Sequence, residues 1–193
     1  MSEIFLVRHG ETEWNAAGRF QGRRDSSLTG LGREQAARMG RMLSVALDQQ
    51  EVPPFHVSPL GRTRDTAAIM AQHLPGQAKM VLEPRLEEVS IGAWEGLTLE
   101  EIDAEWPGAL DGTDHFDWYF RSPDGETLDS ALSRIRSWLN ELDGPVIAIS
   151  HGLLGRLIRG SWLGLSAREM LRLPVPQDVV WRLAAEGVQP LSL

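Results

Sequence analysis

The sequence predicts an α/β fold, a three-layer α/β/α sandwich with a mostly parallel sheet and helices on both faces. Two observations support this prediction. Short apolar segments alternate along the chain with amphipathic ones of helical period, and the apolar segments are continuous, as in parallel strands that are covered on both faces. Because 193 residues suffice for one domain with a substantial core, we expect a single domain over residues 1–193.

Composition excludes several function classes. The chain is 42% hydrophobic and 24% charged, which are globular values. Its net charge of −8 argues against a nucleic-acid partner. The sequence has no apolar run long enough to span a membrane and no secretion signal, so we expect no membrane partner and a cytoplasmic location. Without cysteine, thiolate catalysis is excluded, whereas a few arginines in a cleft can still bind a small anion.

The first third of the chain predicts two strands and two helices. A buried strand at Ile4–Val7 precedes a glycine-containing loop, residues 10–27, without a period. Thr29 is placed to cap a helix that ends near Leu47, with an apolar stripe formed by Leu31, Met39, Leu43, Ala46 and Leu47. A second strand at 55–58 leads into a helix to about His73, whose inward side chains are Ala67, Ala68, Ile69 and Ala71.

The central segments are shorter and more polar. Residues 79–82 predict a third strand, and 86–91 an extended stretch that breaks at the glycine-rich turn 92–96. The segment 97–126 has nine acidic residues against one basic residue, Arg121, and five aromatic ones. We expect it to form short helices as a lid or insertion, with its aromatic side chains mostly packed.

The last third predicts a helix, a strand, a helix and a hairpin. Residues 127–142 show a clear apolar face, residues 146–149 are a buried strand, and a helix follows from Leu153 to about Leu163. Residues 179–184 and 188–191 predict a terminal hairpin, which allows one antiparallel strand at an edge of the sheet. Trp138 and Trp162 are expected in the core.

Two strands end in the same way, and these ends carry the chemistry. The first stops at Arg8-His9-Gly10 and the other at Ser150-His151-Gly152. Ligands of such sheets bind beyond the carboxyl ends of the strands, so we expect the two ends to meet. His9 is a competent nucleophile at neutral pH, and Arg8 can hold two phosphoryl oxygens. His151 and the N–H groups of the following helix would hold the transferring oxygens.

Motifs in the same order resemble those of one family. They are segment 6–12 with Trp14-Asn15, segments 21–25, 28–32 and 58–62 with Thr66-Ala67, and segments 92–96, 123–126 and 150–152. Together they resemble the histidine phosphatase superfamily, the phosphoglycerate mutase-like proteins, in its phosphatase branch. The resemblance covers most of the chain and implies a phosphoglycerate mutase-like fold.

The resemblance also implies roles for individual residues. His9 corresponds to the nucleophile, Arg8, Arg62 and His151 to the phosphoryl-binding residues, and Asn15 to an assisting residue. The catalytic acid is Glu88 or its neighbour Glu87. We choose Glu88, which lies four residues before Gly92, the spacing found in the family, and alternation places Glu87 on the opposite side.

Further residues are expected to bind substrate. Gln21 and Arg23 lie in a loop that should border the pocket, although an arginine in such a loop is more often a solvated surface charge than a ligand-binding residue. Leu153 stands where many relatives have glycine or asparagine. If that position contributes its N–H group, leucine serves equally, whereas a need for a side-chain amide would mean that substrate choice has changed.

The resulting prediction is a metal-independent phosphomonoester hydrolase that forms a phosphohistidine intermediate on a small phosphorylated metabolite. No cofactor and no metal are expected, and His56, His73 and His115 show no metal-binding pattern. One alternative is a cofactor-dependent phosphoglycerate mutase, and another is a catalytically silent phosphate-binding protein. The substrate's identity stays open, as does the choice between monomer and homodimer.

Overall fold

The computed structural model describes residues 2–48, 50–113 and 117–191. Within these residues the chain forms a six-stranded sheet. Its strands are β1 (Ile4–Arg8), β2 (Phe55–Val57), β3 (Met80–Leu82), β4 (Val146–Ser150), β5 (Val180–Ala184) and β6 (Gly187–Pro190). The helices are α1 (Glu13–Ala16), α2 (Gly30–Leu47), α3 (Gly61–Ala71), α4 (Leu99–Glu105), α5 (Leu128–Asn140), α6 (Gly152–Leu163) and α7 (Ala167–Leu171). Short 3₁₀ turns cover Pro84–Leu86, Gly92–Trp94 and Asp117–Arg121.

The strand order of the sheet is β3-β2-β4-β1-β5-β6. The first four strands are parallel, β5 runs antiparallel to β1, and β6 runs antiparallel to β5. The terminal hairpin is thus confirmed, but the antiparallel strand is not at the edge. Because the hairpin folds its second strand outward, β6 takes the edge and β5 pairs on both sides.

The sheet lies between two helical layers, which confirms the predicted α/β/α class. Alternate side chains of β1 enter opposite cores, Ile4 and Leu6 the core under α5 and α6, and Phe5 and Val7 the core under α2 and α3. All four are at most 4% exposed. A strand buried on both faces has no polar side to display, which explains its continuous apolar sequence.

The helix boundaries follow the sequence closely, but some of the predicted inward residues are wrong. In α2, Leu31 is 51% exposed, and Ala46 in the last turn is exposed. At 100° per residue Leu31 lies about 120° around the helix from the buried Leu43, which turns it away from the sheet. In α3, Ala68 is exposed, and the buried side carries three polar residues beside two apolar ones, namely Arg62, Thr63, Thr66, Ala67 and Met70.

Two short helices occur where no helix is predicted. In α1, the Thr12 side chain accepts from the backbone N–H of Asn15, and the Asn15 side chain accepts from the backbone N–H of Thr12. In α7, Ser166 and Glu169 form the same reciprocal cap. Each helix is held by its capping pair rather than by an apolar period, which is why periodicity alone misses both.

The acidic segment does form short helices in its described part, residues 97–113 and 117–126. Trp106 and Trp118 pack in a small separate cluster around Ile91, Trp94 and Ile102, whereas Tyr119 also contacts the core under α5 and α6, and Phe120 packs against that core. His115 and Phe116 lie outside the described residues. Trp138 is 1% exposed, as expected of a core residue, and its indole N–H donates to Nδ1 of His56 at 3.1 Å. In the part of the chain that the structure describes, no helix is long and apolar enough to cross a membrane.

Candidate active site

The two histidine-bearing strand ends lie side by side. β1 and β4 pair in parallel with Arg8 opposite Ser150, and the backbone N–H of His9 donates to the Ser150 carbonyl at 3.0 Å. The imidazole centroids of His9 and His151 are 5.2 Å apart, and both side chains are at most 3% exposed. The sheet therefore brings together two residues that are far apart in sequence.

Hydrogen bonds fix the tautomer of His9. Its Nδ1 lies 2.8 Å from the carbonyl oxygen of Gly10, which can only accept, so Nδ1 carries the proton. Its Nε2 accepts from Nε of Arg62 at 3.2 Å. Burial, with the charges of Arg62 and Arg8, holds the pKa of His9 well below its usual value. At neutral pH the ring is uncharged, with its Nε2 lone pair towards Arg62.

Arg62 is fixed by a network around its guanidinium group. This side chain, in the first turn of α3, donates to the backbone carbonyls of Arg24 at 2.6 Å and Gly22 at 2.8 Å. It also forms an ion pair with Asp25 at 3.0 Å. Burial lowers the pKa of Arg62, and Glu88 and Asp25 oppose that effect. A guanidinium pinned in this way presents a fixed positive charge to His9.

Two of the expected phosphoryl-binding residues keep polar atoms without partners. Arg8 donates to the Val175 carbonyl at 2.6 Å, but its Nε has no hydrogen-bond partner among the described residues. His151 places Nε2 2.8 Å from the Ser58 hydroxyl, whereas its Nδ1 is buried without a partner in the described structure. Burial, with Arg62 nearby, also holds the pKa of His151 well below its usual value. Orphaned buried donors cost free energy, and an anionic ligand can repay it.

The N-terminus of α6 holds a carboxylate. The N–H groups of Leu153 and Leu154 donate to the two oxygens of Glu88 at 3.1 and 2.9 Å. Glu87 points elsewhere, since its carboxylate pairs with Arg23 at 3.3 Å. Of the two candidate acids, the structure places Glu88 beside the histidines.

A cleft of about 300 Å³ lies over these groups. Most of the predicted site residues line it, namely Arg8, His9, Asn15, Gln21, Arg62, Glu88 and Leu153. The Asn15 amide oxygen accepts from Gln177 at 2.9 Å. The amide of Gln21 is held between the hydroxyls of Thr12 and Ser26. His151 lies behind the lining against Ser58.

The structure does not bring the Arg23 side chain into the cleft. Its guanidinium lies between two carboxylates, 3.3 Å from Glu87 and 3.5 Å from Glu126, and it is not among the lining residues. The expectation that Arg23 binds substrate stays a prediction, and in this structure its guanidinium pairs with carboxylates instead. Both carboxylates come from segments distant in sequence, so the loop alone does not reveal this pairing.

Several residues that line the cleft are not predicted from the sequence, including Arg19, Phe20, Tyr119, Arg156 and Val175. Burial and the nearby charge of Glu88 raise the pKa of Tyr119. Arg156 has a signal in the sequence, because it lies one turn into the helix that begins at the cleft. The sequence holds no signal for Tyr119 apart from its place in the aromatic segment.

Parallel strands that end in a neutral buried histidine, beside fixed arginines and a helix N-terminus, form a site suited to a small anion. A comparison with models of protein families identifies the family of this chain. The histidine phosphatase superfamily (branch 1) matches residues 4–190, and the chain belongs to that family. The resemblance drawn from the motifs is thereby confirmed.

Individual relatives divide between two named activities. A probable phosphoglycerate mutase GpmB of Erwinia tasmaniensis is 38% identical over 185 residues, which cover 90% of this chain and 80% of that protein. YhfR of Bacillus stearothermophilus has a TM-score of 0.80 at 26% identity, covering 98% of this chain and 95% of that one. A mycobacterial glucosyl-3-phosphoglycerate phosphatase in complex with VO3 has a TM-score of 0.75 at 26% identity, covering 98% and 97%. The phosphoglycerate mutase-like fold is confirmed by these neighbours.

The described residues contain no cluster of side chains that supports metal binding. Among the described residues, no group of three or more histidine, cysteine, aspartate or glutamate side chains is arranged to hold a metal ion. The positive charge of the cleft comes instead from guanidinium groups.

Proposed function

We propose that the protein is a phosphomonoester hydrolase that forms a phosphohistidine at His9. One observation carries the proposal. With Nδ1–H held by the Gly10 carbonyl, the lone pair of His9 is on Nε2 in the cleft. A nucleophile needs this lone pair free of a proton, and the lowered pKa of His9 supplies that state at neutral pH.

In the first step, the phosphoryl group of the ester binds beside Arg62 and the unpartnered Nε of Arg8. The N–H of Arg62 Nε turns from His9 Nε2 to a phosphoryl oxygen. His9 Nε2 then attacks phosphorus, so that a P–N bond forms while the P–O bond to the alcohol breaks. Glu88 gives a proton to the departing alkoxide. The products of this step are the free alcohol and a phosphorylated His9.

In the second step, the Glu88 carboxylate takes a proton from water as the water oxygen attacks phosphorus. The P–N bond breaks, its electron pair returns to Nε2, and inorganic phosphate leaves. His9 is again neutral with its proton on Nδ1, and Glu88 is again protonated for the next ester. The arginines stabilise the negative charge on the transferring oxygens throughout, a role that Mg²⁺ has in many kinases.

Hydrolysis of p-nitrophenyl phosphate tests this proposal. We expect release of p-nitrophenol and phosphate at a rate that EDTA does not change. His9→Ala should lower that rate at least about a thousandfold, since loss of a nucleophile removes the covalent route. Activity that survives His9→Ala would remove the nucleophile from the proposal, and absence of activity in the wild type would favour a silent phosphate-binding protein.

The names of the relatives favour a second candidate, a cofactor-dependent phosphoglycerate mutase. In such mutases, which the sequence resembles, a basic insertion binds a bisphosphate. The corresponding segment here, 97–126, is short and has nine acidic residues against Arg121. Its field repels a bisphosphate more than a monoester, so we favour hydrolysis.

The two activities separate in one assay. Purified protein is supplied with 3-phosphoglycerate and 2,3-bisphosphoglycerate, and both phosphate and 2-phosphoglycerate are measured. A hydrolase releases phosphate faster than it forms 2-phosphoglycerate. Rapid interconversion with poor hydrolysis of monoesters would establish the mutase instead.

A further inference from the structure

The hydroxyl of Ser58 lies against His151 but has no role in the two steps above. Ser58 follows β2 and His151 follows β4, and because these strands are neighbours in the sheet, their ends meet. Ser58 is 0% exposed and His151 is 1% exposed. Oγ of Ser58 lies 2.8 Å from Nε2 of His151. The direction of this hydrogen bond decides which ring nitrogen of a neutral His151 carries the proton.

The partners of the Ser58 hydroxyl fix that direction. A hydroxyl has one hydrogen to donate and two lone pairs that accept. The backbone N–H of Leu60 donates to Oγ of Ser58 at 3.5 Å. Among the described residues, Nε2 of His151 is the one acceptor within reach of the hydroxyl hydrogen. Because buried polar groups are almost always hydrogen-bonded, Ser58 donates and Nε2 of His151 accepts.

A neutral His151 that accepts at Nε2 carries its proton on Nδ1. Burial, with Arg62, His9 and Arg8 nearby, holds the pKa of His151 well below its usual value, so the ring is uncharged at neutral pH. Its Nδ1 is buried and has no hydrogen-bond partner in the described structure. The ring centroids of His151 and His9 are 5.2 Å apart. A neutral N–H donor without a protein acceptor is therefore close to the proposed nucleophile.

The opposite tautomer would work against the binding of a phosphoryl group. A proton on Nε2 would point at the oxygen of Ser58 and leave the hydroxyl hydrogen unpaired. Nδ1 would then have a lone pair, which repels phosphoryl oxygens. Arg8 and Arg62 already supply positive charge, so a neutral N–H at His151 adds a hydrogen bond without the cost of another buried charge.

We propose that Ser58 is a positioning residue that holds His151 in the Nδ1–H tautomer, so that this N–H donates to an oxygen of the transferring phosphoryl group. The inference rests on the proposed function and adds to it a residue that does not touch the substrate. The hydrogen bond from Nδ1 forms as the ester binds. His151 keeps its proton through both steps, so that proton transfer is left to Glu88.

Nitrogen-15 NMR of protein with labelled histidine measures the tautomer directly. A ring nitrogen that carries a proton and one that carries a lone pair have widely separated shifts, and His151→Ala assigns the signals of His151. At neutral pH the wild type should show a protonated Nδ1 and an unprotonated Nε2. Ser58→Ala should move the Nδ1 signal towards the unprotonated value, because the donor that opposes a proton on Nε2 is lost. A wild-type His151 with its proton on Nε2 would overturn the inference.

Ser150→Ala is the matched control for the NMR experiment. Ser150 precedes His151 and is 0% exposed, and its hydroxyl donates to the carbonyl of Leu86 at 2.9 Å rather than to the ring. This variant also removes a buried hydroxyl beside His151, and it should keep the wild-type shifts of that ring. Equal changes in Ser58→Ala and Ser150→Ala would show a general disturbance of the strand ends, which would also overturn the inference.

Calorimetric binding of inorganic phosphate measures the effect on the site. Ser58→Ala should weaken binding about tenfold, near the lower end for a hydrogen bond to a charged group, because the ligand must then restore the tautomer. In His151→Asn the amide nitrogen stands close to the position of Nδ1 and donates without help from Ser58. Ser58→Ala should therefore change binding less than about twofold in that background. An equal weakening in both backgrounds would show that Ser58 does not act through His151.

These measurements do not depend on turnover, which separates the inference from the proposed function. If no ester is hydrolysed, the proposed function fails, and the tautomer of His151 with the two binding comparisons still decides the inference. If esters are hydrolysed while His151 carries its proton on Nε2, the inference fails and the proposed function stands.

Discussion

The reactivity that we propose for His9 depends on its surroundings rather than on its residue type. An ordinary histidine has a pKa near 6.5 and exchanges between two tautomers. Here the Gly10 carbonyl holds the proton on Nδ1, and burial with two arginines keeps the ring neutral. The sequence identifies this residue from its place after β1. The tautomer depends on a carbonyl orientation and on Arg62, which folding supplies.

Glu88 and Glu87 give the sharpest prediction at the scale of single residues. Glu88→Gln should lower kcat for alkyl phosphates by about 100- to 10,000-fold, because the alkoxide then leaves without a proton. The loss should be smaller for p-nitrophenyl phosphate, whose leaving group is a weak base. Glu87→Gln should stay within about threefold of the wild type, since Glu87 pairs with Arg23 outside the cleft. Steady-state rates on both esters measure these losses. A large loss in Glu87→Gln with a small one in Glu88→Gln would assign the acid to Glu87 instead.

At the scale of elements, the end of β1 lies directly against the start of α2. A Cβ on Gly10 would overlap the carbonyl of Gly32, and a Cβ on Gly32 would overlap the carbonyl of Glu11. This close approach requires glycine because neither side of it is a movable side chain. The position of His9 therefore depends on the packing of a helix that contributes no reacting group.

Gly32→Ala tests this contact, and Gly30→Ala in the same helix is its control. Gly32→Ala should lower the free energy of unfolding by about 1–3 kcal/mol, the usual effect of overpacking, and lower kcat as the end of β1 shifts. At Gly30 an added Cβ meets nothing within 4 Å. That variant should be neutral or up to about 1 kcal/mol more stable, because alanine favours helices. The free energies of unfolding are measured in urea. An equal decrease in both variants would show that the contact between Gly10 and Gly32 does not limit stability.

Elements with a strong apolar pattern are predictable from this sequence, and those held by capping pairs are not. β1, β4, α2, α5 and α6 each show a run or a period that reflects their burial. β3 is predicted from its apolar run although its side chains are exposed. α1 depends on the pair Thr12 and Asn15, which is too short to form a pattern. The site shows the same division. Residues after strand ends are identified, whereas the contacts of Arg23 and Arg156 depend on segments that meet only in the fold.

At the scale of the whole molecule, two buried neutral histidines couple stability to pH. Their pKa values are lowered in the folded protein, while the unfolded chain titrates near pH 6.5. Below that pH the unfolded chain binds protons that the folded protein does not. The stabilisation is therefore complete above about pH 6.5 and is lost as the pH falls from there towards the lowered pKa values.

Urea unfolding at pH 7 and pH 5.5 measures this coupling. The wild type should lose about 1 kcal/mol more than His9→Gln between the two pH values, because glutamine at position 9 binds no proton. His151→Gln should reduce the loss by a similar amount. Equal losses in the wild type and in both variants would show that these histidines do not carry the depressed pKa values.

The sheet order places His9 and His151 at the ends of its two central strands, β1 and β4, where the proposed reaction occurs. The most direct test of this account is the covalent intermediate. Protein mixed with a phosphomonoester and quenched in base within milliseconds should contain one phosphoryl group that is stable in alkali and labile in acid, on the peptide that contains His9. His9→Ala protein should contain none. A phosphoryl group that resists acid, or one on another residue, would contradict the account.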